Sequence, residues 1–578
     1  MENIQESELK QISRARALSL LFISISILIV LSIKLFYLQL FKHDFYVEKS
    51  YEQRMRTITL SPDRGDIFDR GGNVLATSIN AYSIFAVPSA ISDKNKTAGI
   101  LSQQLNIARS AVLQKLNSNK PFVWIKRRIE EPLARKIMDK KMPGVGFRTE
   151  KKRVYPKKKL ACQIIGFVGT DNQGLSGIEL SYDRYLRGEE GKLITEQDIR
   201  HKDILTSNLR ELESPTNGMN LTLTIDEPIQ YLAEREIKRT VQTFHANSGC
   251  AIVMDIKTGD ILALASYPDF DPNDYQKYRE NVWYNRAVTD VYEPGSTFKL
   301  VTVASGIEDG IITKSSKVYC PDSVKLGGRV IKNSHQAKFS TKYLSIEEIL
   351  GESVNTGAAE IAIKLGKEKF YRSIKDFGFG DYTGVGLPGE SRGILPEPSS
   401  WNKPDIAMIS FGQTIAVTPI QLITCLSAIA NGGIRIKPRL VKKIESVDSD
   451  FLKIFAPKNS GQAISEKTAH DVLDLSEAVV EKGTGRLAKI PGFRVGGKTG
   501  TAQKVRPGGL GYLPGHYISS FIGFAPLDDP RIAVLVVVDD PQPVYWGERV
   551  ASPVFKEVAE FSLRRLNIAP DKNAKAVI

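Results

Sequence analysis

Cysteine is scarce in this chain: 578 residues hold four, Cys162, Cys250, Cys320 and Cys425, all far apart. That spacing excludes a paired-cysteine metal site and a disulfide framework, so no metal and no cofactor are expected. Disulfides are permitted outside the cytoplasm, but a large domain with its own core does not need them. Cys250 and Cys425 lie in apolar runs and read as small buried side chains. Acidic residues are in deficit, 65 against 79 Lys and Arg, for a net charge of +14. A basic balance suits nucleic acid, yet zinc-ligand spacing and an aromatic RNA-binding motif are both missing. A membrane face or an anionic polymer fits the charge equally well, and no nucleic-acid partner is expected. Long apolar runs are absent but for one, 17–41, rich in Leu, Ile, Phe and Val and long enough to span a bilayer. Lys34 within it is near enough to the outer end to snorkel. Bulky Leu35, Phe36, Tyr37 and Leu40 stand where signal cleavage would require small residues, so the stretch reads as an uncleaved anchor.

What remains has the composition of an ordinary folded protein, 42% hydrophobic and 25% charged, which excludes large-scale disorder. The length predicts two or three domains. Residues 42–220 are of mixed character, beginning with strand-like material. Between Lys120 and Lys159 they carry fifteen Lys or Arg against four Asp or Glu. That is a solvated face or a contact for phospholipid, polymer or an acidic partner. A boundary is placed before Leu221, where apolar and polar residues begin to alternate. A helix then starts near Pro228, and two strands, 249–256 and 261–267, flank the turn at Lys257-Thr258-Gly259-Asp260. Three more strands, 493–504, 517–525 and 531–539, come only near the far end, followed by an amphipathic helix over 550–566. Between the two strand groups the sequence reads as mostly helix and loop. Strands from both ends of a domain with helices between them imply an α+β sheet closed by its termini.

The chemistry centres on Glu293-Pro294-Gly295-Ser296-Thr297-Phe298-Lys299. Pro294 and Gly295 interrupt what precedes them and a helical pattern resumes, placing Ser296 at a first helical turn with Lys299 three residues on and on the same face. A serine nucleophile needs such a base and an electropositive site for its oxyanion. Ser-x-x-Lys alone is weak, since Ser7/Lys10 and Ser400/Lys403 repeat it. Ser353-Val354-Asn355 and Lys498-Thr499-Gly500-Thr501 follow in order, although Lys257-Thr258-Gly259 is a second Lys-Thr-Gly.

With these three motifs the sequence resembles the class B penicillin-binding proteins, peptidoglycan D,D-transpeptidases, and is most similar to the division-specific, penicillin-binding protein 3 type of Gram-negative bacteria. Arg64-Gly65-Asp66-Ile67-Phe68-Asp69-Arg70, Gly177-Ile178-Glu179-Leu180-Ser181-Tyr182-Asp183 and Phe411-Gly412-Gln413 with Val417-Thr418-Pro419-Ile420-Gln421-Leu422 extend the resemblance over nearly the whole chain. It implies a cytoplasmic tail (1–16), a membrane anchor (17–41), a non-catalytic pedestal (42–220) and a transpeptidase domain (221–578). The last would have the penicillin-recognising fold, an antiparallel five-stranded sheet with helices. Opposed charges in the Arg64–Arg70 stretch suggest a salt-bridge network holding the pedestal junction.

The same resemblance assigns roles. Ser296 attacks the carbonyl between two terminal D-alanines, Lys299 is the base and Ser353 relays the proton. Asn355 holds Lys299 and the substrate amide, and Lys498 lowers the pKa of Lys299. Thr499 binds the terminal carboxylate from an edge strand, Gly500 lets the ligand approach, and Thr501 supplies an oxyanion-hole N–H. It also implies β-lactam binding, a partner polymerase of the SEDS type with other division proteins, a single span of the inner membrane, and a periplasmic catalytic domain at the division site. An elongation-specific transpeptidase, a penicillin-sensing scaffold, and a β-lactamase or carboxypeptidase are the alternatives.

Overall fold

The structure is a computed structural model and describes residues 2–196, 211–334, 339, 341–506, 508 and 511–571. It divides into two units, Met1–Pro62 with Glu189–Thr216, and Asp63–Gly188 with Asn217–Ile578.

In the first unit a helix runs from Glu2 to Leu40, and its Gln11–Leu40 portion is long and apolar enough to cross a membrane. Its Leu, Ile and Phe side chains are exposed, as a lipid-facing surface requires. His43–Arg54 is a second helix, not the strand-like start read from the sequence. The run Glu48-Lys49-Ser50-Tyr51-Glu52-Gln53-Arg54 is mostly helix formers. Met55–Leu60, Gly191–Glu196 and Glu211–Glu213 form a small antiparallel sheet.

In the second unit the pedestal residues pair Val74–Ala86 with Val123–Ile129 and Val145–Val154. Ile84, Leu101, Leu105, Leu116 and Ile137 pack a core beneath the adjoining helices. Arg64 is fully buried. Its Nε lies 2.6 Å from Glu179 Oε2 and its Nη1 2.7 Å from Asp183 Oδ1, while Arg153 Nε lies 2.7 Å from Glu179 Oε1. The network therefore joins Arg64 to the Gly177–Asp183 stretch. Asp69, in contrast, accepts backbone N–H groups from Gly71 and Asn73 and shapes a turn. Asn220–Leu223 lies between Ile67–Phe68, to which it is parallel, and Val441–Glu445, to which it is antiparallel.

The catalytic sheet has five strands: β1 (Ser248–Asp255), β2 (Ile261–Tyr267), β3 (Gly496–Val505), β4 (Tyr512–Ala525) and β5 (Ile532–Asp539), ordered β2-β1-β5-β4-β3 and antiparallel throughout. β1 and β5 are apolar on both faces because both are covered. Ala251, Val253, Val534 and Val536 meet α1 (Glu227–Thr243) and α7 (Ser552–Arg565), while Ile252, Met254 and Leu535 face the central helices. The central helices include α2 (Lys299–Glu308), α3 (Ile346–Gly351), α4 (Asn355–Leu365), α5 (Pro419–Ala430) and α6 (Glu466–Glu481). Short hairpins also occur in this stretch, among them Ser323–Leu326 with Arg329–Lys332. β3 is the free edge of the sheet.

Candidate active site

Ser296 sits in a tight turn, Gly295–Phe298, that runs directly into α2. Gly295 takes a φ of +59°, and its N–H donates to Gly412 O at 3.0 Å. Gly412 lies so close that a Cβ there would stand 2.2 Å from Gly295 O, which explains the glycine in Phe411-Gly412-Gln413. The Thr297 hydroxyl donates to Pro294 O at 2.8 Å and locks the turn. Glu293, half-buried, accepts from Thr414 N at 2.9 Å and from the Tyr512 hydroxyl at 3.0 Å, and burial raises its pKa.

Lys299 is wholly buried at the start of α2. Its Nζ lies 3.2 Å from Ser296 Oγ, 3.1 Å from Ser353 Oγ, 2.6 Å from Ser353 O and 2.7 Å from Asn355 Oδ1. Burial, and then the charge of Lys498, pushes its pKa well below that of a free lysine. Ser353 stands between α3 and α4 with a φ of +58°, in the left-handed region, and this conformation turns both its carbonyl and its hydroxyl to the same amine. Asn355 opens α4 without capping it. Its Nδ2 instead donates to Lys332 O at 2.9 Å, fixing the amide so that Oδ1 meets Lys299.

Lys498, also fully buried, lies on β3 opposite Ile522. Burial pushes its pKa down to about 7, opposed by the charge of Glu352. Its Nζ lies 3.3 Å from both Thr499 O and Thr499 Oγ1. Thr499 and Thr501, two apart on a strand, line one narrow cavity of about 40 Å³ with Ser296, Ser353 and Thr484. This opens beside a cleft of about 730 Å³ that has Ser296 and Asn355 in its wall. Gly500 points the other way. A Cβ there would stand 2.3 Å from Ser520 Oγ, 3.0 Å from Thr297 Cγ2 and 3.2 Å from Pro294 O. Beside the expected room for a ligand, the glycine therefore has a packing reason: it lets β3 lie against the nucleophile turn.

All eight sequence-selected residues thus gather at one place, and the duplicates Lys257-Thr258-Gly259 and Ser400/Lys403 do not join them. Lys257-Thr258-Gly259 forms the β1–β2 turn, and Asn402 caps a helix at Lys403–Ile409. Sequence reasoning missed Thr484, whose Oγ1 lies 2.7 Å from Thr499 Oγ1, and Trp546-Gly547, whose Gly547 N–H donates to Thr501 Oγ1 at 3.1 Å. Gly483-Thr484-Gly485 and Trp546-Gly547 were the available signals, neither with a fixed spacing to the motifs. All four cysteines are buried and free.

Comparison with known proteins gives the same picture. Residues 249–560 match the penicillin binding protein transpeptidase domain and residues 59–223 the penicillin-binding protein dimerisation domain. Stage V sporulation protein D of Bacillus subtilis is 36% identical over 569 residues, 97% of this chain and 87% of that protein. Peptidoglycan D,D-transpeptidase FtsI of Escherichia coli is 32% identical over 544 residues, 93% of this chain and 89% of that one. Among solved structures, a peptidoglycan synthetase from Bifidobacterium adolescentis has a TM-score of 0.72 at 27% identity, covering 91% of this chain and 99% of that chain. Penicillin binding protein 3 of Mycobacterium tuberculosis complexed with aztreonam has a TM-score of 0.69 at 26% identity, covering 89% and 99%. With both of its domains matched and relatives aligned over almost its full length, the chain belongs to the FtsI-type class B penicillin-binding proteins, and it is a transpeptidase.

Proposed function

We propose that Ser296 carries the acyl group of a peptidoglycan stem peptide while two such peptides are crosslinked. The observation behind this reading is Lys299 Nζ at 3.2 Å from Ser296 Oγ, in a site whose burial, with the charge of Lys498, pushes that amine's pKa well below that of a free lysine. Lys299 takes the hydroxyl proton as Ser296 Oγ bonds to the carbonyl carbon of the penultimate D-alanine. The tetrahedral oxyanion is met by the N–H groups of Ser296 and Thr501. Ser353 Oγ, 3.1 Å from the lysine, passes the proton to the departing D-alanine nitrogen as the C–N bond breaks. Thr499, with Lys498 and Thr484 behind it, receives the terminal carboxylate from the edge strand. An amine of a second stem then displaces Ser296. A β-lactam would enter at the same carbonyl position and remain as a stable acyl-enzyme. The test is mass spectrometry after benzylpenicillin, with turnover of a thioester stem analogue. Wild type gives an adduct on Ser296 and transfers the acyl group, Ser296→Ala does neither, and acylation without transfer would favour a penicillin sensor.

The setting we infer is a single span of the inner membrane by the N-terminal helix, with the catalytic domain in the periplasm at the division site. The SEDS-type polymerase and other division proteins are its expected partners there. The apolar helix and the FtsI relative support this reading. The 36% identity to a protein named for sporulation supports a second one, in which the crosslinks serve a spore wall. Depletion separates them: filaments with unfinished septa support division, rounded cells that still divide support elongation, and normal growth with failed sporulation supports the second reading.

A further inference from the structure

The two arms of the active-site cleft differ in size and in charge. The small arm, about 40 Å³, has room for the terminal D-alanine beside Thr484, Thr499 and Thr501. The rest of a donor stem must therefore leave Ser296 through the arm of about 730 Å³, past Thr501 and Gln503, which alternate along β3. Glu548 lines the small arm, but among the described residues no Asp or Glu lines the large one. Its charged lining is Arg329 and Lys332, on one strand of the hairpin whose tip is Gly327-Gly328. Arg329 is exposed. Its Nη1 rests 2.8 Å from Met408 Sδ, and no carboxylate among the described residues pairs with it. It lines this arm together with Gln503 and Tyr512, at the end of β3 where the preceding donor residues would lie.

From this we infer that Arg329, assisted by Lys332, selects donor stems that bear a second, free carboxylate on the residues preceding the D-alanyl-D-alanine pair, over stems in which that group is amidated or absent. The inference rests on the transpeptidase reading above and adds a substrate preference to it. A guanidinium in an arm with no acid among the described residues can receive a carboxylate through two parallel N–H donors. The nearby Lys332 adds charge without that geometry. A carboxamide in the same place would present its own NH2 donors to the guanidinium.

The experiment compares acyl transfer from two peptides ending in D-alanyl-D-alanine that differ only in a free carboxylate or a carboxamide on the third residue from the end. The full-length protein is used in detergent, with active sites counted by labelled benzylpenicillin. Wild type is expected to favour the carboxylate peptide in kcat/KM by about two- to fivefold, as an exposed ion pair gives, with the preference shrinking at high salt. Arg329→Gln collapses the ratio towards one through the carboxylate peptide alone, Arg329→Lys restores part of it, and Lys332→Gln lowers it less. A wild-type ratio near one, or an Arg329→Gln variant that keeps the wild-type ratio or loses both peptides equally, overturns the inference. A wild type that is labelled by benzylpenicillin but transfers neither peptide overturns the transpeptidase reading instead.

Discussion

Gly500→Ala is the sharpest test of how the site is held together, because the sequence and the structure give different reasons for the glycine. The new methyl would sit 2.3 Å from Ser520 Oγ, its cross-strand neighbour, 3.0 Å from Thr297 Cγ2 and 3.2 Å from Pro294 O. The Ser520 hydroxyl can rotate aside. Thr297 is tied to Pro294 O at 2.8 Å, and Pro294 O is backbone, so the residual overlap of a few tenths of an ångström falls on the distance between β3 and the Ser296 turn. Overpacking of this kind costs about 1–3 kcal/mol. A misplacement approaching 1 Å can cost ~10² in rate, and a fraction of that about tenfold. Acylation by fluorescent benzylpenicillin should fall about 10–100-fold together with a lower Tm. Ser520→Ala, which removes the nearest atom, should recover part of both losses in the double variant, with a coupling of about 0.5–3 kcal/mol. A Gly500→Ala protein that melts like wild type, fails to acylate and is not helped by Ser520→Ala would refute the packing argument and return the glycine to ligand clearance.

Lys299→Ala should reduce acylation by about 10²–10⁴, the span of a lost general base. Because the neutral amine is the active form, the rate should rise with pH through the depressed pKa of Lys299; Lys498→Gln removes a like charge, raises that pKa and moves the acidic limb to higher pH, whereas an unmoved limb would refute the coupling. In wild type the charge on Lys498 is lost as pH rises through about 7, so kcat/KM for carboxylate-bearing donors should decline above that value in a stopped-flow pH series. Thr484→Val should weaken the same donors about 2–10-fold by removing the hydroxyl beside Thr499, with the loss in KM. Glu179→Ala should cost about 3–5 kcal/mol by leaving buried Arg153 without a carboxylate and Arg64 with Asp183 alone, seen as a large drop in Tm with little change per folded site in penicillin labelling.

The legible parts of the site were those written in local spacing. Ser296 and Lys299 share a helix face whatever surrounds them, and Ser353 with Asn355 needs only a bend between two helices. The β1–β2 hairpin was legible for the same reason, since Lys257-Thr258-Gly259-Asp260 lies between two apolar runs and Gly259 takes a φ of +75°. Thr484 and the packing around Gly500 were not legible, because they depend on partners distant along the chain: Thr499 for one, Thr297 and Ser520 for the other. The strand Arg329–Lys332, inside the stretch read as mostly helix and loop, was not legible because its four residues pair only with another short strand and are mostly exposed, leaving no buried face to impose an alternating pattern.

The strand Asn220–Leu223 bears on how the protein can be cut for study. Its backbone is held on one side by Ile67–Phe68 and on the other by Val441–Glu445. A gene fragment opening at codon 221 would encode every motif residue yet leave that strand with a bare parallel edge, buried leucines at 221 and 223 uncovered, and an open invitation to strand exchange between molecules. A fragment opening at codon 63 keeps the partner strand and should be the shorter soluble form worth expressing.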